Sequence, residues 1–154
     1  MEVYNIALFG HRDFYAHKDI ERELPLILQE LFKEKDFINV YVGRDGEFDI
    51  FASSVIKRAK KTFGQEKLSL SLVLPYIKKG MDFFEKYYDD IIIPESLGRC
   101  HPKEAIYKRN KWMVEQSNIL ICYVEKNSGG AYKALEYAKK LNKRFINLSN
   151  VYAI

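Results

Sequence analysis

Short apolar runs alternate with longer amphipathic stretches along this chain, and few folds accommodate that alternation. Val3 to Phe9 reads as a buried strand, Phe37 to Val42 as a second, and Leu68 to Leu74 as a third, ended by Pro75. Asp90 to Ile93, ended by Pro94, reads as the fourth, Asn118 to Val124 as the fifth and Arg144 to Leu148 as the last. Between the first two, Ile20, Leu24, Ile27, Leu28 and Leu31 recur at helical spacing behind Asp19, a candidate N-cap. Pro25 lies inside that pattern and predicts that the regular helix starts nearer Glu23, with Asp19 to Arg22 as an irregular lead-in. Phe48 to Lys61 predicts a helix closed by Gly64 and buried through Phe48, Phe51, Ala52, Val55, Ile56 and Ala59. Lys79 to Tyr88 is a short helix or loop, Pro102 to Gln116 a helix with proline in its first turn, and Ala131 to Leu141 the final helix. Strands joined through helices require crossovers. The expected fold is therefore a three-layer α/β/α sandwich with a mainly parallel sheet of five or six strands.

At 154 residues, 47% hydrophobic and 30% charged, the chain matches one domain over 1–154 with a real core. Its net charge of +4 comes from 25 basic and 21 acidic residues interspersed along the sequence. There is no arginine-rich arm or tail, which makes a nucleic-acid partner unlikely without excluding it. Cys122 lies within an apolar strand and reads as a small core residue, so no disulfide framework is implied. His17 and His101 have no metal-ligand spacing with each other or with the cysteines, and neither metal nor cofactor is expected. The start of the chain has no basic n-region or cleavable apolar run, and no stretch approaches the roughly 18 apolar residues of a membrane span. A cytoplasmic protein with no membrane partner is expected.

In parallel sheets ligands bind beyond the carboxyl ends of the strands, where strand order switches. Glycine and polar residues collect on that rim: Gly10-His11-Arg12-Asp13, Gly43-Arg44-Asp45-Gly46, Pro94-Glu95-Ser96 and Asn127-Ser128-Gly129-Gly130. The pair Gly129-Gly130, between the fifth strand and the last helix, lets backbone N–H groups approach an anion at the positive helix end. That geometry implies a ligand carrying phosphate. Gly10 permits a tight exit from the first strand, with His11 or Arg12 reaching phosphate or ribose. Asp49, in the first turn of the second helix, either accepts from a ribose hydroxyl or stabilises the helix end, the second role being favoured. The segment lacks the third glycine of the dinucleotide fingerprint, so an NAD-dehydrogenase reading is poorly supported. On the fourth helix Ile106, Asn110, Met113 and Val114 fall on or near one face; Asn110 needs a partner if buried, and Arg109 could point to the rim. On spacing alone a solvated basic face is favoured there. Phe83-Phe84 and Tyr87-Tyr88 read as core or a subunit contact.

These blocks carry a resemblance. Gly-His-Arg after strand one, Gly-x-x-Gly-x-Phe-Asp after strand two, Tyr-x-Arg-Asn-x-x-Met-Val on helix four and Gly-Gly-x(6)-Tyr-Ala on the last helix resemble the SLOG superfamily, the Rossmann-like group joining DprA and the Lonely Guy proteins. The chain looks closest to the small bacterial YpsA-like branch, over roughly Ile6 to Leu148. The resemblance implies a Rossmann-like domain that binds a nucleotide or ADP-ribose-like molecule, as a sensor or regulatory protein. Gly10, His11, Arg12, Gly43, Arg44, Gly46, Asp49, Asn110, Ser128, Gly129, Gly130, Ala131 and Lys133 would surround the ligand. A second expectation follows from the Lonely Guy phosphoribohydrolases, which cleave the N-glycosidic bond of nucleoside monophosphates. Their Arg-x-x-x-Met pattern is similar to Arg109 to Met113, and their Gly-Gly-x-Gly-Thr-x-x-Glu signature to Gly129 to Glu136. Arg109 and Glu136 fall on the positions that carry catalysis in that family, whereas Tyr132 and Lys133 replace its second-phase glycine and threonine; the alternative for Glu136 is an exposed helix residue paired with Lys139 or Lys140. A third expectation, from the DprA relationship and the basic pI of about 8.9, is a single-stranded DNA-binding or scaffold protein. Family analogy also makes a homodimer plausible.

Overall fold

The computed structural model describes residues 2–97 and 100–150. Six parallel strands form one sheet: β1 (Val3–Gly10), β2 (Phe37–Val42), β3 (Leu68–Val73), β4 (Asp90–Ile92), β5 (Ile119–Tyr123) and β6 (Arg144–Asn147), in the order β4-β3-β2-β1-β5-β6. Helices α1 (His17–Phe32), α2 (Glu47–Phe63), α3 (Met81–Tyr87), α4 (Pro102–Gln116) and α5 (Gly130–Lys140) alternate with them. This is the expected sandwich, with every described pairing parallel.

The strands are apolar on both faces because both faces are covered. Ile6, Leu8, Val40, Val42, Leu70 and Leu72 meet Ile20, Leu24 and Leu28 of α1 and Phe48, Val55 and Ile56 of α2. On the other face Ala7, Phe9, Leu120 and Cys122 meet Met113 and Val114 of α4 and Ala131, Ala134, Leu135 and Ala138 of α5. Cys122 is a core residue as expected, and burial pushes its thiol up to about 12.

Helix α1 departs from expectation. It starts at His17 behind Ala16, runs unbroken through Pro25, and places Asp19 in its first turn rather than at the cap. A proline inside a helix costs about 3 kcal/mol. Full burial of Ile20, Leu24 and Leu28 contributes about 1.5–3 kcal/mol each and outweighs it. Three-dimensional packing here overrides a local breaker.

The order of strands creates a switch between β1 and β5, which pair in register with Gly10 opposite Tyr123. The chain leaves β1 toward one face of the sheet and β5 toward the other. A crevice opens at the carboxyl rim between these exits.

Candidate functional site

The crevice is a cleft of about 360 Å³. Gly10, His11, Arg12 and Asp13 line it from the β1 exit, Gly43, Asp45, Gly46 and Asp49 from the start of α2, Ile106, Arg109 and Asn110 from α4, and Lys126, Ser128, Gly129, Gly130 and Ala131 from the β5 exit. Most of the expected ligand-binding residues are thus brought together. Asp13, Asp45 and Lys126 join them; the last sits three residues ahead of the glycine pair and carries a charge that could have marked it.

Two helix N-termini face this cleft, and they differ. At α2 the positive end is partly occupied: the Glu47 N–H donates to Arg12 O at 2.9 Å, the first turn carries the acids Glu47 and Asp49, and Asp49 Oδ2 accepts from the N–H of Asp45, just ahead of the helix, at 2.9 Å. A Cβ on Gly46 would lie 2.4 Å from Arg12 Cα, so only glycine lets the β1 exit close over that helix end. Helix α5 likewise has no side-chain cap, but it carries no acid in its first turn, which closes with the Lys133 N–H donating to Gly129 O at 3.1 Å. The amides of Gly130 and Ala131 therefore have no helical acceptor. Gly129 holds φ at +92°, and a Cβ there would meet nothing within 4 Å. The glycine pair is an open cradle of N–H groups, with Arg12 and Lys126 lining the same cleft.

The exits are braced. Asn147 clamps Val124, its Oδ1 accepting from the Val124 N–H at 3.0 Å and its Nδ2 donating to the Val124 carbonyl at 3.0 Å. His11 Nε2 accepts from the N–H groups of Glu125 at 3.2 Å and Lys126 at 3.3 Å. Desolvation and the Lys126 cation hold His11 below its usual range, so the imidazole is a neutral acceptor. His11 was expected to reach a ligand; it lines the cleft, and its Nε2 ties the β1 exit to the β5 exit.

Arg109 was expected on a solvated face or at the rim, and it is buried at 1% exposure. Its Nη1 donates to the Val73 carbonyl at 2.8 Å, its Nε to Asn110 Oδ1 at 2.8 Å, and its Nη2 pairs with Asp45. Lys78 lies 3.4 Å from the same Asp45 carboxylate. These donors are committed to the protein, so Arg109 is a strut beneath the cleft, and Asn110 finds its partner in Arg109. The two cations outweigh desolvation and lower the Asp45 pKa. Desolvation dominates at Asp49 and, with Asp45 nearby, raises it to about 6.

Three expected residues lie elsewhere. Arg44 donates to the Tyr88 hydroxyl at 2.9 Å and stacks over Phe83 and Phe84. Lys133 is exposed and does not line the cleft. Glu136 is 46% exposed and pairs with Lys139 at 3.3 Å. At about 100° per residue, six positions beyond Gly130 carry Glu136 off the cleft face of α5, so the aligned signature does not bring this carboxylate to Arg109.

No family model matches the chain, and no curated protein does. Solved structures do match: DNA processing protein A (DprA) from Streptococcus pneumoniae, with TM-score 0.68 and 15% identity over 92% of this chain, and DprA from Helicobacter pylori, with TM-score 0.60 and 16% identity over 92%. The chain spans about half of the first (49%) and 63% of the second. This chain has their Rossmann-like fold. The Helicobacter structure is described by its single-stranded DNA binding mode. That likeness corrects the expectation that a nucleic-acid partner is unlikely. Charge mixing along a sequence says nothing of charge in space, and the fold gathers Arg12 and Lys126 at one rim. Among the described residues no helix is long and apolar enough to cross a membrane.

Proposed function

We propose that the chain, as one domain, binds single-stranded DNA, seating a backbone phosphate on the Gly129-Gly130 amides with Arg12 and Lys126 alongside. The observation that carries this reading is the open, uncapped start of α5 in the rim cleft. The likeness to a protein with a described single-stranded DNA binding mode supports a polynucleotide as the ligand. The block pattern supports placing the chain with the YpsA-like branch, and a cytoplasmic site of action accords with this reading.

A free nucleotide is the second reading. It is favoured by the cleft volume of about 360 Å³, within the roughly 300–1,000 Å³ of small-molecule sites. Phosphoribohydrolase chemistry gains no such support, because Glu136 is paired outside the cleft and the Arg109 donors are occupied.

Fluorescence anisotropy with a labelled oligothymidylate tests the proposal across a salt series. Affinity should fall with salt at a slope of about −0.7 per phosphate contacted, and Arg12→Ala or Lys126→Ala should both weaken binding and flatten the slope. Absence of binding at low salt, or affinity indifferent to these two substitutions, refutes it. Competition by a nucleoside monophosphate with no oligonucleotide preference would favour the second reading.

A further inference from the structure

We infer that three exposed tyrosines around the cleft, Tyr15, Tyr76 and Tyr107, form a stacking platform for the bases of a single strand whose phosphate sits at the cleft. This rests on the DNA-binding reading and says how the remainder of the strand is held. All βα exits of a parallel sheet share one rim, so Tyr15 in the β1–α1 segment and Tyr76 in the β3–α3 segment stand on the cleft side of the molecule. Tyr107 is on α4, next to the cleft-lining Ile106.

Their exposures, 86% for Tyr15, 37% for Tyr76 and 46% for Tyr107, leave ring surface that the core does not use. Phe14 shows the contrast: it is buried beside Tyr15 and packs edge-on against Phe48 and Tyr123, anchoring the segment that presents Tyr15 outward. Cations accompany the other two rings, Lys78 at 5.8 Å from the Tyr76 centroid and Lys111 at 4.9 Å from that of Tyr107. Lys78 also reaches Asp45, which links the Tyr76 segment to the cleft wall. Aromatic faces interleaved with cations and adjoining a phosphate cradle fit a strand whose bases are unstacked and whose backbone is anionic. Such stacking tolerates any base, so the platform confers affinity with little sequence preference.

The test compares an oligothymidylate of about 12 nucleotides, within the span typical of single-strand sites, with an abasic strand of equal length and charge. The full chain should bind the abasic strand at least about fivefold more weakly, the lower end of the effect of one stacked base. Tyr15→Ala and Tyr76→Ala should each cost a similar factor with the salt slope unchanged, whereas Tyr15→Phe and Tyr76→Phe should retain affinity. Equal affinity for both strands, or alanine variants that bind as wild type, overturns the platform while leaving the phosphate site standing. Failure of the wild-type chain to bind either strand overturns both. Tyrosine variants that abolish self-association in sedimentation while leaving oligonucleotide affinity intact would assign the patch to a second copy of the chain and overturn the inference.

Discussion

Arg109 and Asp49 show at single positions how the cleft is built from charge that the protein itself must satisfy. Arg109 is buried, and its contacts reach β3 through Val73 and the β2–α2 segment through Asp45. Removing one partner of a buried ion pair strands the other, so Arg109→Ala should cost about 3–5 kcal/mol in urea unfolding. A loss under about 1 kcal/mol would show that the strut is dispensable. Asp49 titrates with the opposite sense to an ordinary paired carboxylate. Its pKa is raised from 3.8 to about 6, so its favourable contribution is complete below the unfolded value and is lost as pH rises through about 6. Asp49→Asn keeps an oxygen for the Asp45 N–H and cannot ionise. The variant should gain stability relative to wild type between pH 4.5 and 7.5, by an amount on the order of 2 kcal/mol. Paired melts at the two pH values check this, and a gap that stays constant contradicts it. His11 runs the other way: its lowered pKa means stability present at neutral pH and lost as pH falls. The wild-type curve alone therefore mixes the two effects, and the difference curve isolates Asp49.

Among the elements, the beginnings of α2 and α5 divide the labour. The first is covered by the β1 exit through Glu47 and carries acids in its first turn, which makes it scaffold; the second has neither and is left open. Helix α1 reports on a different balance. Its Pro25 leaves the carbonyl one turn back without an N–H donor, and Pro25→Ala should restore that bond and stabilise the chain by about 2 kcal/mol, the helix gain exceeding the unfolded-state entropy lost. Destabilisation in a thermal melt would mean that the pyrrolidine ring packs in a way alanine cannot replace. The same helix marks where a linear reading stops. Pro102 and Gln116 bounded α4 in the sequence because proline at a first turn is a local rule, whereas the continuity of α1 depends on a sheet face assembled from distant segments. Arg109 and Asp45 lie 64 residues apart, and nothing near either marks their pairing; an arginine in a basic helix ordinarily points to water. Gly129-Gly130 was legible because the junction, the missing side chains and the helix polarity are all local. Glu136 shares the motif's spacing without its direction: the helix turns it outward onto Lys139, the pairing its local spacing also offered.

At the scale of the whole molecule, the sheet order puts the β1 and β5 exits beside each other, while Asn147 and His11 fix where those exits go. The cleft is consequently a product of topology, with α4 closing one wall and Arg109 bracing its floor. The fold is shared with DprA chains roughly one and a half to two times as long, and what carries the functional proposal is the chemistry of this rim. Amide chemical shifts of uniformly ¹⁵N-labelled protein, followed during titration with a short oligothymidylate, test the central claim most directly. The account predicts the largest shifts at the N–H groups of Gly129, Gly130 and Ala131, with smaller ones at Arg12 and Lys126. Saturating binding that leaves those three amides unmoved, or no binding at low salt, would contradict it.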